Sequence, residues 1–154
     1  MKLYLVQHGE AASEEVNPAR PLTAQGQRDV QKLASFLKGA GIASLSIRHS
    51  GKTRAKQTVE IIASRLGPEC QIAETKNLAP NDPVQVVVDE ISRMRDDLMI
   101  VGHLPFLGKL ASFLLTGSDA KSVVAFRMGG VVCLQRSDAQ AWHVVWMIIP
   151  ELIQ

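Results

Sequence analysis

Short apolar β runs and helical stripes alternate along the whole chain, and that alternation leaves few architectures open. Residues 2–7 (KLYLVQ) read as a buried strand, 44–48 (SLSIR) as a second, 71–74 as a short third and 98–102 (LMIVG) as a fully apolar fourth. Helical periods lie between them. Val30, Leu33, Ala34 and Leu37 fall at i, i+3, i+4 and i+7 behind an N-cap at Thr23, and Gly39 and Gly41 end that helix. Ala55, Val59, Ile62, Ala63 and Leu66 make a second stripe, closed by Gly67 and Pro68. Asp82 reads as the N-cap of a third helix, with Pro83 at its first position and Val84, Val87, Ile91 and Met94 on its apolar side. A fourth helix is expected over about 105–115, stopping at Gly117, and residues 131–136 and 142–149 read as two strands joined by SDAQA. The order predicts an α/β fold: a three-layer sandwich with a mostly parallel sheet flanked by helices and a C-terminal antiparallel hairpin.

One domain spanning residues 1–154 is the expectation at this length. Hydrophobic residues make up 46% and charged residues 21%, enough for a core and far from disordered composition. The longest apolar runs, VQVVV and VVWMII, fall well short of the ~20 residues a membrane helix needs. The apolar stretch after Lys2 is too brief for a secretory signal, so a cytoplasmic location is the default. Seventeen basic and 15 acidic residues leave a net charge of +2, which argues against a general nucleic-acid footprint but not against a local anion pocket. Cys70 and Cys133 have no metal-type spacing and read as small hydrophobes in a reducing compartment rather than as a disulfide.

Ligands of such sheets bind at the carboxyl ends of the strands. Three of the four histidines, His8, His49 and His103, fall at predicted strand ends, while His143 lies inside the last strand. His8 precedes Gly9, which permits a sharp turn and a close backbone approach. Imidazole is a competent nucleophile near neutrality, since its ordinary pKa is about 6.5. Arg54 sits in the first turn of the second helix, where free N–H groups already favour anions and a guanidinium can grip phosphate oxygens. Lys52 adds charge two residues earlier, and His103, between Gly102 and Pro105, must find a partner or face a cleft. Taken singly each has a plainer reading: His8 as a strand-end histidine, Arg54 as a surface arginine over apolar neighbours, His103 as a satisfied buried histidine.

Together, VQHGEA, RPLTAQG, HSGKTRAKQT and IVGHLP resemble the histidine phosphatase superfamily, also called the phosphoglycerate mutase-like or RHG-motif superfamily. Motif order and spacing hold from residue 1 to at least 115, and the compact size is similar to the SixA-type phosphohistidine phosphatases. The resemblance implies a two-step reaction without metal or cofactor. His8 takes the phosphoryl group, water hydrolyses the phosphohistidine intermediate, and Arg54 and His103 hold the phosphoryl oxygens, with Gln7 and Gly9 lining the phosphate site. His8 would be oriented by a hydrogen bond from its other ring nitrogen to a backbone carbonyl. Arg20, His49 and Lys52 are possible accessory groups. In SixA-like proteins the loop that carries Arg20 borders the pocket, and Arg20 either contacts substrate or pairs with a loop acid.

Two departures from the family pattern stand out. The motif arginine before the nucleophile is Gln7 here, and a charge-assisted hydrogen bond is worth about 1.5–3 kcal/mol against about 0.5–1.5 for a neutral one. Lys52 or His49 are candidates to restore that charge. The glutamate that many members carry as general acid is also missing from NLAPNDP, where Asp82 is better explained as a helix cap. Glu14 and Glu15, in the loop, are solvated acids that could still supply a proton. Without an acid, a good leaving group is favoured: imidazole, with a conjugate-acid pKa near ~6.5, rather than an alkoxide. The resemblance thus implies removal of phosphate from phosphohistidine on a protein, such as a histidine-containing phosphotransfer domain. The alternatives are a small-molecule phosphomonoesterase and a catalytically weak phosphate- or phosphoprotein-binding module. A mutase role lacks the acid and the usual insertions. No nucleic-acid or membrane partner is expected.

Overall fold

The structure, a computed structural model, describes residues 1–43 and 45–154. Six strands form one sheet: β1 (Lys2–Gln7), β2 (Ser46–His49), β3 (Gln71–Glu74), β4 (Leu98–Gly102), β5 (Val131–Arg136) and β6 (Trp142–Ile148), in the order β3-β2-β4-β1-β5-β6. The β2–β3, β2–β4 and β1–β4 pairs are parallel, while β5 runs antiparallel to both β1 and β6. Between the strands lie α1 (Ala24–Gly39), α2 (Thr53–Leu66), α3 (Gln85–Arg93) and α4 (Phe106–Thr116). The expected mostly parallel sheet with a C-terminal antiparallel hairpin is therefore what forms.

Period-2 alternation splits the core into two layers. Tyr4 and Val6 of β1, Met99 and Val101 of β4, and Val131 and Cys133 of β5 pack with the stripes of α1 and α2. Leu3 and Leu5, Leu98 and Ile100, and Val132 and Leu134 pack with α3 and α4. A strand buried on both faces must be apolar throughout, which is why LMIVG at the sheet centre carries no polar residue. Cys133 lies in this core and Cys70 is likewise a free thiol. Among the described residues no helix is long and apolar enough to cross a membrane.

Thr23 caps α1, its side-chain oxygen accepting from Gly26 N at 3.0 Å. The expectation for Asp82 is corrected. Its Oδ2 accepts from Ala79 N at 2.8 Å and closes a turn, and α3 begins at Gln85 behind Val84. A local side-chain-to-backbone bond in the turn has outcompeted the cap. The second strand starts later than 44–48, at Ser46, and includes His49; Ser44 lies outside the described residues. The loop after β1 is tied down by an Ala11–Leu22 bridge, with Ala12 N donating to Pro21 O at 2.8 Å.

Candidate active site

His8 follows β1, Ser50 follows β2 and His103 follows β4, so three adjacent strands deliver them to one end of the sheet. His8 N donates to Gly102 O at 3.1 Å, which ties the ends of β1 and β4 together. The His8 and His103 rings then lie 5.0 Å apart, centroid to centroid, tilted by 50°. Arg54 reaches in from the first turn of α2, and its Nε donates to His8 Nε2 at 3.2 Å. All three side chains are buried, at 7%, 9% and 1% exposure for His8, Arg54 and His103, although each is polar. Burial of three polar groups around one space demands compensation, and here much of it is mutual.

The His8 ring is oriented from behind. Its Nδ1 lies 2.7 Å from Gly9 O, and since a carbonyl only accepts, Nδ1 carries the proton and Nε2 keeps its lone pair. Burial, then the charges of Arg54 and Arg20, hold the His8 pKa down at about 4, against the pull of the Gly9 carbonyl. His103 is pushed down to about 3 by burial and by His8, Arg54, Lys52 and Arg20. Both imidazoles are neutral at physiological pH. Burial and the Arg20 charge also lower the pKa of Arg54. A neutral ring whose Nε2 lone pair faces only the Arg54 N–H suits attack on a phosphoryl group once an anion draws that guanidinium away.

The turn Gly9–Glu10 passes so close to α1 that both surfaces need glycine. A Cβ on Gly9 would meet Val30 Cγ2 at 2.7 Å, and one on Gly26 would run into the Glu10 backbone. Gly26 belongs to RPLTAQG and Gly9 to VQHGEA, so these two segments are joined by contact. The sequence matches the family description "Histidine phosphatase superfamily (branch 1)" over residues 3–79, half of the 154-residue chain and the part that holds both segments and Arg54. The chain belongs to the histidine phosphatase superfamily.

Among similar proteins, an uncharacterized protein of Picosynechococcus sp. is 30% identical over 148 residues, covering 91% of this chain and 88% of that one. The phosphohistidine phosphatase SixA of Escherichia coli is 26% identical over 122 residues, 76% of each chain. Of solved structures, SixA complexed with tungstate superimposes with a TM-score of 0.85 at 21% identity, over 100% of both chains. A putative α-ribazole-5′-P phosphatase from E. coli reaches 0.76 at 16% identity, over 100% of this chain and 99% of that one, and shares the fold.

The other sequence-predicted residues of this histidine phosphatase divide into two groups. Lys52 is exposed at the N-terminus of α2 and is felt by His103, while Arg20, with φ of 49°, donates from Nε to Ala12 O at 3.1 Å and is felt by His8, Arg54 and His103. Arg20 therefore bonds a carbonyl rather than a loop acid, and both charges reach the pocket. The Gly9 N–H donates to Thr58 Oγ1 at 3.1 Å, and Thr58 donates in turn to Arg54 O at 2.7 Å, so that amide is partnered in this structure. His49 has a different set of neighbours. It is buried, its Nδ1 accepts from Gly51 N at 3.1 Å, and its charged neighbours are Glu74, Lys56 and Glu60 rather than the pocket groups. Gln7 is half-buried with its Oε1 unpartnered, and its carbonyl accepts from Gly129 N at 3.0 Å. Glu10, next to Gly9, accepts from the Thr23 hydroxyl at 2.6 Å, and Glu14 and Glu15 are exposed. Among the described residues no group of three or more His, Cys, Asp or Glu side chains converges as metal ligands.

Sequence reasoning missed Ser50, whose Oγ lies 2.6 Å from His103 Nε2, and Thr58. Both stand inside HSGKTRAKQT, so the signal was present but carried no stated role. Gly129 had no local signal, because its contact with β1 exists only once β5 is paired.

Proposed function

We propose that the chain is a phosphohistidine phosphatase acting on a phosphorylated protein histidine, of the kind a histidine-containing phosphotransfer domain presents. One observation carries this reading: among the described residues the side-chain hydrogen bonds of His8, Arg54 and His103 run to Gly9 O, to one another and to Ser50, and none runs to a carboxylate. A pocket without an acid favours a leaving group that needs no proton from the enzyme. Phosphohistidine protonates on its free ring nitrogen and departs as neutral imidazole, whereas an alkoxide must be protonated as it leaves.

In this mechanism the phosphoryl group draws the Arg54 guanidinium off His8 Nε2, which frees the lone pair. Nε2 attacks phosphorus in line, the P–N bond to the substrate breaks, and its electron pair stays on the departing ring. Arg54 and His103 hold the phosphoryl oxygens through both transfers. Water then attacks phosphorus, the P–Nε2 bond breaks, a proton is lost to solvent and His8 is restored. Arg20 and Lys52 supply the charge that the missing motif arginine would have brought. The similarity to SixA of E. coli supports the substrate class.

A second reading, a small-molecule phosphomonoesterase, is favoured by a groove of about 450 Å³ lined by Leu104 and Pro105, the two residues after His103, together with Lys109, Lys121 and Phe126 among others. Its volume is that of a small-ligand site. Rapid-quench mixing with excess phosphohistidine peptide separates the readings. Turnover through an acid-labile phosphoenzyme, both absent in His8→Ala, is expected, with alkyl phosphates slower. Faster turnover of alkyl phosphates supports the second reading, and release unchanged in His8→Ala removes His8 from its role. Tight phosphate binding without release identifies a binding module.

A further inference from the structure

One ring nitrogen of His103 is satisfied and the other is not. Nε2 sits 2.6 Å from Ser50 Oγ, while Nδ1 is buried without any hydrogen-bond partner. A buried polar atom left unpaired in this way calls for a missing partner. Which nitrogen carries the proton decides what that partner is, since a neutral imidazole donates from one nitrogen and accepts at the other.

The Ser50 hydroxyl resolves the choice. It has one O–H to donate and lone pairs to accept with. Lys52 N donates to its oxygen at 3.4 Å, which uses one of its lone pairs, while its single proton still needs an acceptor. Among the described residues His103 Nε2 is the acceptor within reach of its proton. Donation from Ser50 to Nε2 pairs every group in the chain Lys52 N–H, Ser50 O–H, His103 Nε2. The reverse polarity leaves the hydroxyl proton without a partner in the protein and puts a lone pair where an anion must sit.

We propose that Ser50 is a positioning residue that holds His103 in the Nδ1–H tautomer, so that a neutral imidazole offers a hydrogen-bond donor to a phosphoryl oxygen beside His8. The inference deepens the proposed function and rests on His103 facing the transferred phosphoryl group. The residue after β2 thereby sets the proton position on the residue after β4, through a hydrogen bond that spans two paired strands. A neutral donor also avoids the cost of a third full positive charge beside Arg54 and Lys52 when the site is empty.

The test is a ¹⁵N NMR spectrum of the full chain, with and without inorganic phosphate, for wild type, Ser50→Ala and Ser50→Thr. Wild type is expected to show a pyrrole-type Nδ1 and a pyridine-type Nε2 for His103. Ser50→Ala is expected to lose that preference and to weaken phosphate binding about tenfold, the scale of one hydrogen bond to a charged acceptor. Ser50→Thr keeps the hydroxyl and is expected to retain both signatures. A wild-type Nε2–H tautomer overturns the proposal, as does a tautomer and phosphate affinity unchanged in Ser50→Ala. Failure of the substrate reading looks different: phosphohistidine peptide is not turned over, while the tautomer and phosphate affinity still depend on Ser50.

Discussion

At the scale of single residues, the site shows how a candidate nucleophile is held by groups on both sides of its ring. The Gly9 carbonyl takes the proton side of His8, the Arg54 guanidinium takes the lone-pair side, and burial keeps the ring neutral. If charge from other backbone segments offsets the replacement of the motif arginine by Gln7, the lysine nearest the pocket should matter most. Lys52 reaches His103 electrostatically, whereas Lys56, one turn along the same helix, acts on His49 instead. Lys52→Ala is therefore expected to lower kcat/KM severalfold at low ionic strength, with the effect shrinking as salt screens an exposed charge. Lys56→Ala is expected to leave kcat/KM within about twofold. Steady-state kinetics on phosphohistidine peptide across a salt series check both, and equal effects sink the compensation by Lys52.

At the scale of elements, the strand ends make the site and α1 makes it tight. The Gly9–Glu10 turn rests on Gly26, within the first turn of α1, and Thr23 at the cap bonds both Gly26 N and the Glu10 carboxylate. Helix propensity alone favours Ala over Gly by about 1 kcal/mol at a helical position. At residue 26 that gain is outweighed, since the added methyl runs into the Glu10 backbone rather than into a side chain that can swing aside. Gly26→Ala is expected to destabilise the fold by about 1–3 kcal/mol and to displace His8, so that activity falls further than stability does. Urea unfolding midpoints together with single-turnover phosphorylation check this. A stabilised and fully active variant contradicts the contact.

At the scale of the whole molecule, two buried neutral histidines make folding pH-dependent. His8 and His103 titrate at about 4 and about 3 in the fold, against about 6.5 in the unfolded chain. Below pH 6.5 the unfolded state binds protons that the native state refuses, so stability is highest above that pH and falls as acid is added through the window down to about 3. Carboxylates titrate at the lower end of the same range, so the contribution of the two rings is isolated by comparison. Urea unfolding across pH is expected to show a shallower acid-side loss for the His8→Gln, His103→Gln double variant than for wild type. Parallel curves overturn the assignment of buried, neutral rings.

Local patterns in the chain were enough for the elements and most of the site. Period-2 and period-3.6 repeats are properties of neighbouring residues, and they located the strand at 2–7, the stripe from Val30 to Leu37 and the all-apolar LMIVG that only a doubly covered strand tolerates. His8, Arg54 and His103 were legible because each stands at an element boundary inside a motif. Folding alone settled whatever depends on partners distant in the chain or on a turn's final shape. Asp82 turned to Ala79 rather than capping α3, Gly9 gave its amide to Thr58, and His49 took Gly51 and the side of Glu74. Those outcomes are competitions between hydrogen-bond partners. A donor's choice is set by which acceptor lies within about 3 Å after the sheet has paired, and distance in space is not a local property of sequence. Ser50 and His103 meet for the same reason, brought together only when β2 and β4 pair in register.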